Sequence, residues 1–141
     1  MVLSVVHQSL SYFLVLLLLV TSGAAGADQD VEKTIFLVYE SDRVVAANAE
    51  TGQFFDLVLS AKERIRERYV ANGVAILVTN QRFAGVSNYP SGWSSLRRRA
   101  GEKVVSTEVA DHSALVVTSD RILVFNGKTG AWSEKRRGAF R

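Results

Sequence analysis

Cysteine is absent from this chain. Its absence excludes disulfide staples, a thiolate nucleophile, a Cys/His metal site and a lipidated cysteine anchor. Histidine is almost as scarce, with His7 and His112 alone in 141 residues. Asp111-His112-Ser113 holds all three residue types of a hydrolytic triad. Residues adjacent in sequence do not converge on one reacting atom, so the tripeptide reads as a turn. No Asn-x-Ser/Thr acceptor occurs, and no glycine-rich phosphate loop opens a helix. With no converging acid–base set, the chain is not expected to be an enzyme, and neither a cofactor nor a metal is expected. The net charge of +3 is mild, and no nucleic-acid partner is expected.

Basic residues are also missing from the N-terminal region, where no Lys or Arg precedes Lys33. The apolar run from Tyr12 to Val20 is too short to span a bilayer comfortably. Ala25-x-Ala27, which follows it, has the small residues of a signal-peptidase site. Residues 1–27 are therefore expected to be a signal peptide and residues 28–141 an exported domain, periplasmic or secreted. The lack of cysteine fits a periplasm better than the disulfide-rich class of small secreted domains. An uncleaved membrane anchor, its apolar stretch extended back to Val5, is the alternative.

What the chain does have is an internal period of 39 residues. Arg43, Arg82 and Arg121 are evenly spaced, and Val70 to Arg82 aligns without a gap on Val109 to Arg121. Trp93 falls on Trp132, and Arg97-Arg98 on Arg136-Arg137. The first copy has diverged further but keeps the frame: Asn48-Ala49-Glu50-Thr51-Gly52 lies over Asn126-Gly127-Lys128-Thr129-Gly130, and Phe54 holds the Trp position. A fixed period in this range marks stacked units that do not bury their apolar faces alone. It divides the exported part into repeats of approximately 31–69, 70–108 and 109–141.

Each unit reads as four antiparallel strands, giving an all-β chain of three tandem repeats. Strands are expected at 35–39, 43–48, 74–79, 82–87, 113–118 and 121–126. These are the nearly continuous apolar runs, which signal burial on both faces of a sheet. Small polar pairs between them, such as Asn80-Gln81 and Ser119-Asp120, suit tight hairpins. A third strand carries Trp93 or Trp132, and a fourth, such as Lys103 to Val109, is polar and alternating. From apolar to polar, that order is expected to run from the axis to the rim of a propeller blade. Ser60 to Arg68 has a helical composition, but its repeat partner near Gly101 to Thr107 is β-branched, and the register makes both strands. Asp42, Asp111 and Asp120 fall in turns, where they are expected to cap backbone amides.

Leu115 to Trp132 resembles the repeat of quinoprotein-type β-propellers, in which an Asp/Asn-x-x-Thr-Gly loop precedes an aromatic. Asn126-x-x-Thr129-Gly130 and Asn48-x-x-Thr51-Gly52 match that loop. Gly130-Ala131-Trp132 is closer to the kelch spacing, although the kelch Gly-Gly pair is absent. The resemblance implies blade-type sheets over most of residues 28–141 and carries over no catalytic residue. Three blades are fewer than a closed propeller contains. Either the chain self-associates, for instance as a dimer of six blades, or it is a closed three-fold body of the β-trefoil or β-prism kind. The continuous apolar strands and short turns favour blades.

Two sets of residues are candidate binding sites. Arg43, Arg82 and Arg121 lie at one end of equivalent hairpins, where a ring of guanidinium groups would hold a carboxylate, phosphate or sulfate. The competing expectation is that each pairs locally with an acidic neighbour such as Asp42 or Asp120. Arg97 and Arg98 with Arg136 and Arg137 occupy one repeat position and form a positive patch, suited to an anionic lipid or glycan or to an acidic protein. A solvated, charge-protected sheet edge is the alternative. The chain is therefore expected to be a non-enzymatic exported module that binds a protein partner through repeated loops. The second possibility is a carbohydrate- or polyanion-binding, lectin-like domain.

Overall fold

The apolar runs pair with their nearest neighbours in the chain. The computed structural model describes residues 32–89 and 92–138, so the expected signal peptide and its cleavage site lie outside the described residues. Eleven strands are present there: β1 (Ile35–Tyr39), β2 (Arg43–Asn48), β3 (Gln53–Val58), β4 (Ile65–Val70), β5 (Val74–Thr79), β6 (Arg82–Ser87), β7 (Ser94–Arg97), β8 (Val104–Ala110), β9 (Ser113–Thr118), β10 (Arg121–Asn126) and β11 (Ala131–Arg136). The six apolar strands occupy the positions expected from the sequence. They form three blade-like antiparallel sheets in tandem, β1-β2-β3, β4-β5-β6-β7 and β8-β9-β10-β11.

Hydrogen bonding sets the phase of the repeat, which a period alone leaves open. β4 pairs with β5 and β8 with β9, so each polar strand opens a sheet instead of closing the unit before it. The sheets accordingly span 35–58, 65–97 and 104–136, offset from the divisions expected at 31–69, 70–108 and 109–141. In the second and third sheets the expected apolar-to-polar gradient is replaced by two apolar strands in the centre with a polar strand on each edge. Central strands have neighbours on both edges and both faces, which is why they read as unbroken apolar runs. The first sheet has three described strands.

The helix-like segment divides in two. Residues 60–64 form a turn, in which the Glu63 amide donates to the Ser60 carbonyl, and the strand starts only at Ile65. A bulge between Ile65 and Glu67 marks the entry into the sheet, and Val104/Ser106 repeats it.

The second sheet is enclosed on both faces, and every residue of β5 is buried. Ala75 and Leu77 face the first sheet, meeting Ile35, Val44, Ala46 and Leu57. Val74, Ile76 and Val78, with Phe83, face Ala114, Val116, Leu123 and Phe125 of the third. Each Val, Leu, Ile or Phe among them contributes about 1.5–3 kcal/mol when fully withdrawn from water. Gly85 sets the approach of the second and third sheets, because a Cβ there would stand 2.7 Å from the Phe125 ring. No hydrophobic cluster of the described residues joins the first sheet to the third. Among the described residues the sheets therefore pack in sequence order, first on second and second on third. No helix among the described residues is long and apolar enough to cross a membrane.

Candidate functional site

The repeated arginines are positioned by a repeated turn. Thr79 ends β5, and its Oγ1 accepts from the amides of Gln81 (3.0 Å) and Arg82 (2.9 Å). The same hydroxyl donates to Glu63 Oε1 at 2.8 Å. Arg82 then donates from Nε to Glu63 Oε1 (2.8 Å) and from Nη2 to Oε2 (3.1 Å), a two-pronged pair. The third sheet reproduces this with Thr118, Glu102 and Arg121, again at 2.8 Å and 3.1 Å. Each guanidinium also crosses to the preceding sheet, Arg82 Nη2 reaching the Val58 carbonyl (2.6 Å) and Arg121 Nη2 the Arg97 carbonyl (2.7 Å).

These pairs are enclosed, and the carboxylates respond to it. Burial by itself raises the Glu102 carboxyl, but hydrogen bonds from Arg121, the Arg99 amide and Thr118 overcome it and hold the group at about 2. Glu63 is displaced in the same direction by Arg82, the Ser60 amide and Thr79, again against burial. Both acids therefore remain ionised while buried, as a paired charge must.

Arg43 is different. It pairs with Glu40 and Asp56, both exposed, and its own side chain is 44 % exposed. The period places Ala24 where Glu63 and Glu102 stand in the later copies. The three arginines thus do not present a ring of unpaired guanidinium groups. Nor are their partners Asp42 and Asp120: the buried acids of Arg82 and Arg121 come from the turn preceding each sheet, and Arg121 also pairs with Glu134 of β11. Asp120 accepts from the Ser119 hydroxyl and Asp111 from Asn72 Nδ2, whereas Thr79, Thr118, Asn48 and Asn126 cap the turn amides. Glu63, Glu102, Thr79 and Thr118 were not singled out in the sequence, although each pair recurs at the common period. The helical composition around Glu63 concealed it.

The basic clusters divide by position. Arg98 Nη1 donates to the Thr79 carbonyl (2.8 Å), and its guanidinium lies 5.6 Å from the Phe83 ring centre. Arg137 Nη1 donates equivalently to the Thr118 carbonyl at 2.8 Å. Arg97 and Arg136 are exposed and have no acidic partner among the described residues. Arg99 pairs with Glu134 at 3.0 Å near the surface. At this end an open groove of about 950 Å³ runs between the first and second sheets, lined by Ser60, Gln81, Arg97, Arg98 and Arg99 over the Glu63–Arg82 pair.

The tryptophans belong to the seams. Trp93 Nε1 donates to the Phe55 carbonyl and Trp132 Nε1 to the Ser94 carbonyl, each at 3.0 Å and each one sheet back. The Trp132 ring packs on Phe125 and Phe83, with centroids 5.2 and 6.4 Å away. Phe54, at the equivalent place in the first copy, does not follow: it is 71 % exposed, and Phe55 packs inward instead. The position is buried by a preceding sheet, and none precedes β1 among the described residues. His112 is a turn residue, edge-on to Tyr89 with ring centres 5.4 Å apart, its carbonyl accepting the Gly127 amide.

No protein-family model matches this chain, and no curated protein matches it in sequence. Among solved structures it is similar to the extracellular domain of BT4673 from B. thetaiotaomicron, with 12 % sequence identity and a TM-score of 0.43. That match takes in 74 % of this chain but spans only 15 % of the other.

Proposed function

We propose that the chain is a non-enzymatic, exported interaction module that binds an acidic segment of a protein partner through the turns at its arginine-bearing end. The groove of about 950 Å³ between the first and second sheets carries this reading. Its floor is electrically closed, because Arg82 neutralises Glu63, and those groups hold the turns in place. Its wall carries Arg97, exposed and without an acidic partner among the described residues, and Arg99, whose surface pair with Glu134 a partner's carboxylate would compete for. The export component rests on Ala25-x-Ala27. A polyanionic glycan or lipid surface is less well served. Arg82, Arg98, Arg121 and Arg137 are engaged by carboxylates or backbone carbonyls, leaving few guanidinium groups for extended anionic contact.

Fluorescence anisotropy with a labelled Asp/Glu-rich peptide, beside a neutral peptide of equal length, tests the reading. The acidic peptide is expected to bind selectively and to weaken with added salt. The Arg97→Ala/Arg99→Ala variant is expected to lose about ten-fold in affinity, in the range of exposed interfacial charges. Equal binding by that variant would remove the reading, and tighter binding to a sulfated glycan would put the polyanion alternative in its place.

A further inference from the structure

The two ends of the stack carry the two halves of its own seam. The face of the second sheet that meets the first includes Ala75, Leu77, Ala84 and Val86. One period earlier, the same positions are Phe36, Val38, Val45 and Ala47, on the outer face of the first sheet. Phe36 is 45 % and Val38 52 % exposed there. The face of the second sheet that meets the third includes Ile76, Val78 and Phe83. One period later these are Leu115, Val117 and Ile122, on the outer face of the third sheet beside Val124, which is 40 % exposed. One end therefore presents the surface that the other end is built to receive.

The finer matching agrees. Where sheets touch, a small residue meets a larger one: Ala46 shares a cluster with Val86, and Gly85 lies under Phe125. The corresponding pair across the ends is Val124 with Ala47, again large with small. Asn48 Nδ2 donates to the Asn88 carbonyl of the next sheet while its Oδ1 caps the Glu50 and Thr51 amides. Asn126 caps Lys128 and Thr129 in the same way, and its Nδ2 has no partner among the described residues. Lys135 takes the place of Leu57, which clusters with Ala84. At the other end Asp56 takes the place of Ser95, the cross-strand partner of Ala84. The two end faces thus carry side chains of opposite charge, Lys135 on one and Asp56 on the other.

We propose that two copies of this chain stack head to tail through these faces, forming two equivalent seams and a closed ring of six sheets. Six is the multiple of three that falls within the four to eight blades of closed propellers. The seam is heterologous, with a different face from each copy, so it closes only if the rotation returns on itself. This assembly uses surfaces separate from the groove and stands or falls independently of it.

Solution mass measured by light scattering over a dilution series tests it, with Val38→Asp and Val124→Asp, one on each end face. Far-ultraviolet circular dichroism checks that both variants fold. The unmodified chain is expected at twice its own mass and each variant at its own mass. Mixing the two variants restores one intact seam, from the undamaged face of each, and is expected to return the doubled mass. A monomeric unmodified chain overturns the proposal. So does a Val124→Asp variant that still dimerises, which would mean that like faces pair, or a mixture that remains monomeric. A mass that keeps growing with concentration overturns closure into a ring.

Discussion

Glu102 remains charged with its side chain fully enclosed, because Arg121, Thr118 and a backbone amide occupy its oxygens. Removing that charge leaves a buried guanidinium without its main partner, and breaking a buried pair costs about 3–5 kcal/mol. Glu102→Gln is therefore expected to lower the unfolding free energy by about 3 kcal/mol in urea melts at neutral pH. The pH dependence has a definite sign. The folded carboxyl, at about 2, lies below the ordinary 4.5, so its contribution is complete above about 4.5 and is lost as the pH falls toward 2. Stability is expected to fall across that window, with Glu63 adding in the same direction, and to fall less steeply in Glu102→Gln. Arg43→Ala is expected to leave the melting midpoint almost unchanged, because both its acidic partners are exposed. Trp132 packs in the seam and donates across it, so Trp132→Ala should cost about 3 kcal/mol, while exposed Arg136→Ala should cost little. A Trp132→Ala variant that keeps the original midpoint in denaturant would remove the seam role and make the ring a surface contact.

At the scale of the element, sheet spacing depends on what stands between the strands. Gly85 has no side chain because Phe125 occupies the space, and a Cβ would lie 2.7 Å from that ring. Gly85→Val is expected to destabilise by about 1–3 kcal/mol through overpacking, although Val suits a strand better than Gly. Measured beside it, Val124→Gly at the equivalent place in the third sheet tests whether the seam, and not strand propensity, sets the cost. The turns have a similar logic. Thr118→Val keeps the shape of β9 but removes the hydroxyl that caps Asp120 and Arg121 and supports Glu102, an expected loss of about 1 kcal/mol or more. The turn at 60–64 and strand β4 show why composition misleads at this scale: Lys62, Glu63 and Arg64 have good helical propensity, but Glu63 is drawn into its pair with Arg82.

Across the whole molecule, the second sheet belongs to both hydrophobic cores, so neither core is independent of it. Unfolding is accordingly expected to be one cooperative transition, with tryptophan fluorescence and circular dichroism reporting the same midpoint. Two separated transitions would mean that the seams couple more weakly than the shared strand β5 implies, as in long repeat arrays. Removing β8–β11 would uncover Ile76, Val78 and Phe83 together, and such a truncated chain is expected to bind hydrophobic dyes and melt without a sharp transition.

The sequence by itself determined the strands and their repetition. Apolar runs such as Val74–Thr79 and Ser113–Thr118, punctuated by small polar turns, carry local information that needs no knowledge of distant contacts. The period likewise marked the arginines and tryptophans as equivalent positions. Tertiary structure decided the rest. Only hydrogen bonding assigned β4 and β8 to the sheets they open, because a period has no phase. Only the packed turn joined Glu63 to Arg82 and Glu102 to Arg121, each pair 19 positions apart in the chain. Only stacking separated Trp93 and Trp132, each with a sheet behind it, from exposed Phe54, which has none among the described residues. Burial belongs to the neighbour as much as to the residue, and a neighbour one sheet away leaves no mark on the local sequence.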